Sequence, residues 1–168
     1  MNRSAILVGI TLLTMTLLFS MACSRKADTI RVGTYDNRAV AIAYSNSKYN
    51  DVSSKMEEFS KANEAGDTAK VRELEDWGAK HQNALHRQGF GRVPVDDLLK
   101  PVEDKISAMA LQMNLDLIAW NVNYSDANVE IVDISLELAK LFEPSEQALG
   151  WIEDIKNQPP VDLDELEE

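Results

Sequence analysis

Residues 30–157 predict a mostly helical α+β fold. It should be a small β body built in the order strand, helical hairpin arm, helix, two strands, C-terminal helices. Three observations carry this. Short segments of strand-like, β-branched residues open the region and return after residue 115. Apolar residues in the stretch between recur at helical spacing. Gly66-Asp67 cuts that stretch into two helices joined by too few residues to let them be anything but antiparallel neighbours.

Ile30-Arg31-Val32-Gly33-Thr34-Tyr35 alternates apolar and polar residues and reads as a half-buried strand ended by Asp36-Asn37-Arg38. Ala39–Tyr44 is Ala-rich and suits a short helix or an extended segment. Ser45-Asn46-Ser47 is a natural helix start. Val52, Met56 and Phe59 mark a helix from about Lys48 to Ala65. Gly66 fits the left-handed position past its end, and Asp67 fits the N-cap of the next helix. That helix runs from about Thr68 to Arg87, with Val71, Leu74, Trp77, His81 and Leu85 along one narrow stripe of coiled-coil type. Both helices are otherwise polar, so the hairpin, about residues 48–93, is expected to project as an arm.

Gly89-Phe90-Gly91 breaks the pattern, and Pro94 suits the first position of a further helix. Val95, Leu98, Leu99, Val102, Ile106, Met109, Ala110 and Met113 give that helix a wide core-facing stripe, with a kink or restart at Pro101. Leu115–Trp120 and Val129–Val132 read as strands separated by a polar turn-like segment, Asn121–Asn128. Ser135 should cap a short helix, Leu136–Phe142, and Pro144 should start a last one, from about Ser145 to Lys156. Residues 158–168 form a Pro-containing acidic tail.

The first 22 residues have the three parts of an export signal: Arg3, the apolar run Ala5–Phe19, and Ser20-Met21-Ala22 before Cys23. A small residue just before a cysteine at that place matches a bacterial lipobox, so Cys23 is the expected site of lipid attachment and residues 23–29 a lipid-tethered linker. Several acyl chains on one residue anchor far more firmly than one. Ser20 stands where Leu is usual, and Ser20 with Ala22 also suits ordinary signal peptidase, which would leave a soluble periplasmic protein. An uncleaved anchor is the third option. Ser24 after the cysteine favours outer-membrane sorting in enterobacterial-type systems.

The region beyond the signal is about the size of one domain, and 45% hydrophobic residues in the whole chain is enough for a core. Removing the signal leaves 16 basic and 28 acidic side chains, a charge of −12. That argues against a nucleic-acid partner, which needs clustered Lys and Arg, and against adhesion to an anionic membrane through charge alone. Long-range electrostatics favour basic or neutral partners. With Cys23 the single cysteine, no intrachain disulfide can form, which is ordinary for a periplasmic domain.

No residue set spells out a reaction. His81 and His86 lie about 140° apart on a helix, poor geometry for shared metal ligation and ordinary for surface or seam histidines. The pairs Glu57-Glu58, Asp96-Asp97 and Glu153-Asp154 read as solvated helix faces. Gly89 and Gly91 lead to no phosphate-binding lysine, and no serine sits in a nucleophile elbow. No catalytic residue, metal site or cofactor is therefore expected. Met56, Phe59, Val71, Leu74 and Trp77 are either seam residues or an adaptable apolar surface for a client chain.

Several segments resemble the Skp/OmpH-like periplasmic chaperones. Asp116-Leu117-Ile118-Ala119, Asn123-Tyr124-Ser125-Asp126-Ala127 and Val132-Asp133-Ile134-Ser135 look like that family's closing strand, turn and helix cap. Leu98-Leu99-Lys100-Pro101-Val102 with Ile106 is similar to its Pro-containing helix returning to the body. Ile30–Asp36 looks like its first strand, so the likeness runs in order over about residues 30–142. It implies a homotrimer whose strands build a β body, with arms that hold unfolded outer-membrane proteins without ATP. Here the arms are shorter and the charge is acidic. The function expected is thus a non-enzymatic, membrane-tethered chaperone-like or scaffold module. The alternative is a structural envelope lipoprotein that binds one defined protein partner.

Overall fold

The computed structural model describes residues 29–160; the signal, Cys23 with most of its linker, and residues 161–168 lie outside the described residues. The elements are β1 (Ile30–Thr34), α1 (Asn37–Ser45), α2 (Val52–Glu64), α3 (Thr68–Gly89), α4 (Asp96–Leu99), a 3₁₀ turn (Lys100–Val102), α5 (Glu103–Gln112), β2 (Leu117–Ala119), β3 (Val129–Asp133), α6 (Ser135–Lys140) and α7 (Glu146–Ile155). The mostly helical α+β class and its order are borne out.

The three strands form one sheet in the order β2-β1-β3, and both pairings are parallel. The first strand is therefore the central one. Val32 stands opposite Leu117 and Ile131, and Gly33 opposite Ile118 and Val132. Because successive side chains point to opposite faces, these two triplets mark the two faces of the sheet. The Gly33 face meets the core: a Cβ at Gly33 would stand 2.9 Å from both Ile134 Cδ1 and Leu115 Cδ1. On the other face Ile30, Leu117 and Ile131 are 49%, 56% and 46% exposed, although Val32 between them is buried.

The centre of the body is α1. Its small residues Ala39, Ala41 and Ala43 let α3, α6 and α7 come close, and Val40 between them is fully buried. Asp36 caps the helix by accepting from the Arg38 backbone N–H at 2.8 Å. Its carboxylate also takes both Arg38 Nε and, at 2.6 Å, Nη2. The guanidinium is nearly enclosed, and Gly91, in the left-handed region at φ 75°, lies against its stem.

Some boundaries differ from expectation for local reasons. Ser45-Asn46-Ser47 ends α1 rather than starting α2. The Asn46 amide donates to the Ile42 carbonyl at 2.8 Å and the Ser47 hydroxyl to that of Tyr44 at 2.7 Å, filling acceptors the helix end leaves open. Pro94 lies two residues before α4 instead of at its first position, because the connector is pinned: Asn37 Nδ2 donates to the Val93 carbonyl and Gln88 Nε2 to that of Pro94. Pro101 sits in the 3₁₀ turn that separates α4 from α5, as its missing N–H requires. Ser135 is not the cap of α6. Asp133 accepts from the Ser135 N–H and hydroxyl, while the Ser135 oxygen accepts from the Asp36 N–H at 2.9 Å. Ser145 caps α7 through Ala148 N–H.

Phe142, at the end of α6, is fully buried with Tyr44 and Tyr49 set edge-on against it at 6.3 and 6.2 Å. Next to it Glu143, at φ 57°, accepts from Lys105 at 2.6 Å and Lys48 at 2.9 Å, and both lysines also stand over the Tyr49 ring. These lysines hold the Glu143 carboxyl down from 4.5 to about 2, Lys105 foremost. The folded state therefore binds this proton less readily than the unfolded chain. The clamp's contribution is complete above pH 4.5 and is lost as the pH falls toward 2. Glu143→Gln should lower the melting temperature at pH 7 by a small amount and make its fall between pH 4.5 and 2 shallower than in the parent, as read by circular dichroism.

Candidate functional site: an apolar groove in the helical arm

The arm follows from its sequence. Gly66 adopts φ 68°, and the Asp67 carboxylate accepts from the Lys70 N–H at 3.0 Å to start α3. With α2 turned back along α3, Ala62 and Leu74 are buried between them. The arm does not project along its whole length: the C-terminal part of α3 packs on α1, and Gln88 is buried in the body. Ion pairs within the helices, Glu57–Lys61, Lys70–Glu73 and Asp76–Lys80, decorate the outside, and Lys55–Glu58 stands at the groove's edge. The Lys61 and Lys55 hydrogen bonds hold the Glu57 and Glu58 carboxyls, respectively, below their ordinary range. That is how a solvated face behaves, as expected for the pair at 57–58.

Between α2 and α3 runs a groove of about 540 Å³, closed at its inner end by Ser45 of α1. Its floor is apolar: Val52, Met56 and Phe59 from α2, and Leu74, Trp77 and Leu85 from α3. Four of the five residues singled out in the sequence thus converge. Met56 stands at the rim, 66% exposed. Val71 is the exception, half-buried outside the lining, toward the hairpin turn.

Of the polar part of the groove, the sequence reading placed only His81 on the helical stripe. Lys55, Gln82, His81 and His86 line it as well. His81 lies stacked on Trp77, ring centres 4.8 Å apart and planes 12° from parallel, with its Nε2–H donating to Asn50 Oδ1 at 3.1 Å. His86 tilts against Phe90 at 6.2 Å. The i, i+4 spacing of Trp77 and His81 was the available signal. The angle separating the two histidines rules out a shared metal, yet places them on the two flanks of one wide groove. Among the described residues that line it, none is a carboxylate.

The groove is built to take up apolar side chains and to offer them hydrogen-bond donors. Among its described lining residues, no serine is hydrogen-bonded to a histidine. Among the described residues no three His, Asp or Glu side chains converge as a metal site, and no helix is long and apolar enough to cross a membrane. No protein-family model, curated protein or solved structure matches the chain.

Proposed function

We propose that the chain is a non-enzymatic envelope module of Skp/OmpH-like type that holds unfolded or outer-membrane proteins without ATP. In this reading a lipid on Cys23 tethers it to the periplasmic face of the envelope, at the outer membrane. If ordinary signal peptidase cuts the signal instead, it acts free in the periplasm. The resemblance supplies a homotrimeric assembly, and the open apolar face of the sheet at Ile30, Leu117 and Ile131 supports it. The observation that carries the holding role is the groove: an accessible apolar floor rich in Met and aromatic side chains, which repack around varied partners.

The test is light scattering during dilution of a urea-unfolded β-barrel protein. The exported domain should suppress aggregation at near-stoichiometric amounts. Met56→Glu, at an exposed rim position that leaves the fold intact, should weaken protection about tenfold, the loss expected for giving up ~1.4 kcal/mol of apolar burial. Unchanged aggregation with the parent domain sinks the reading.

A second reading, a structural lipoprotein with one folded partner, draws on the exposed aromatics of the β2–β3 connection, Trp120 and Tyr124. Crosslinking in the envelope separates the two: many unfolded chains support the first, one folded protein the second.

A further inference from the structure

We propose that a hollow at the carboxyl end of the sheet binds a neutral saccharide, held by the Trp120 ring and the polar side chains of Asn121, Asp133 and Lys156. Its position, its charge and its lining lead there.

The hollow has a volume of about 560 Å³, within the range of sites that enclose small ligands. Thr34 and Asp133 are the last residues of β1 and β3, Trp120 follows the last residue of β2, and all three line it. Because both pairings are parallel, the three strands point out of the sheet at this one end. The order β2-β1-β3 also sets the two later strands on opposite sides of β1. In open parallel sheets, the crevice outside the carboxyl ends at such a reversal of order is where ligands bind. The hollow has no lining residue in common with the groove of the arm.

Charge decides the class of ligand. Arg38 and Lys156 each hold a carboxylate of the same hollow: Arg38 Nη2 meets Asp36 at 2.6 Å, and Lys156 Nζ meets Asp133 at 2.5 Å. These four charges cancel. An anionic ligand would have to draw a cation from its partner, and at Arg38, whose side chain is 6% exposed, that breaks an enclosed pair. A cationic ligand meets the same obstacle at the carboxylates. A neutral ligand leaves both pairs intact.

The lining is of two kinds. Trp120, Val122 and Ile131 supply apolar surface, and Trp120 is 39% exposed. Among the described residues Lys156 donates to Asp133 alone, which leaves two of its three N–H groups for a ligand. Asn121 donates to Asn123 Oδ1 at 3.0 Å, and its own Oδ1 accepts from none of the described residues. A pyranose has the matching form. Its ring faces carry apolar C–H groups that pack on an aromatic ring, and the hydroxyls around its edge both donate and accept.

The test is a titration of the exported Cys23→Ser chain with N,N′-diacetylchitobiose, maltose and cellobiose, followed on its three tryptophan indole N–H signals. At least one disaccharide should move the Trp120 signal saturably, with half-saturation at about 1 mM or below, and leave Trp77 and Trp151 in place. Asn121→Ala and Lys156→Met, both at exposed positions, should each weaken that affinity about fivefold with the folded spectrum kept. Trp120→Ala, read on the Asn121 side-chain amide, should abolish it. A hexasaccharide of the same unit separates the sources of such a ligand: affinity that rises with length indicates a glycan chain, and equal affinity a free or terminal sugar. Three outcomes overturn the proposal: no saturable shift with any of the three disaccharides, tighter binding of glucuronate or glucosamine than of glucose, or unchanged affinity when Asn121→Ala and Lys156→Met are combined. No client enters the titration, so its result stands apart from the holding role.

Discussion

Phe142→Ala should destabilise the domain by about 3–5 kcal/mol, measured as a shift of the urea midpoint at constant slope. Phe142 is fully buried, and its neighbours cannot all close the space it leaves. Tyr44 and Tyr49 meet it edge-on from the end of α1 and the connection that follows, and it belongs to the same buried cluster as Ile134 and Leu138. Truncation removes two aromatic contacts as well as buried area. It also unseats Tyr49, on which Lys48 and Lys105 rest before reaching Glu143. Phe142→Leu keeps most of the volume and should cost less than half as much. Equal losses from the two variants would show that the tyrosine edges, rather than the cavity, carry the effect.

Asp36→Ala should cost about 3–4 kcal/mol through two separate losses. The Arg38 guanidinium, its side chain 6% exposed, is left without its carboxylate in a place that water reaches poorly. The N-terminus of α1 loses its cap at the same time. Asp36→Asn separates the two, since its amide oxygen can still accept from the Arg38 N–H while the charge is gone. Asp36→Asn combined with Arg38→Met should recover most of the stability, because a buried pair removed together costs far less than one partner removed alone. A double variant no more stable than Asp36→Ala would place the loss in the cap and the Gly91 contact instead.

Local chemistry made much of this fold legible. Gly66-Asp67 announced the arm's turn, Pro101 the break between α4 and α5, and Pro144 the approach to the last helix, whose cap the structure assigns to Ser145. What the sequence did not disclose depends on distant partners. Nothing in Leu117-Ile118-Ala119 states that it pairs in parallel with Val32-Gly33-Thr34, because the hydrogen bonds that decide this join residues 85 apart. Ser135 opens α6 without capping it, because its hydroxyl is held between Asp133 and the Asp36 N–H from another element. In the groove, apolar spacing found Met56, Phe59, Leu74 and Trp77. It overran at Val71, since a straight helix rotates its stripe away from its partner, and although it placed His81 on the stripe it did not find Lys55, Gln82 and His86, because a groove needs flanks that a stripe does not describe.

The central place of β1 also sets an order of assembly. As the chain emerges, Ile30–Thr34 comes first, yet both of its neighbours arrive about 85 and 99 residues later. Closing loops of that length is slow. The arm shortens the wait. The contacts within residues 52–89 are local, and an antiparallel hairpin returns its end towards its beginning. For the strands it separates, somewhat less than half of the intervening chain then ceases to count as loop. A hairpin that forms before the sheet closes acts as a folding clasp, and in that case a lengthened arm should leave the rate of sheet closure nearly unchanged.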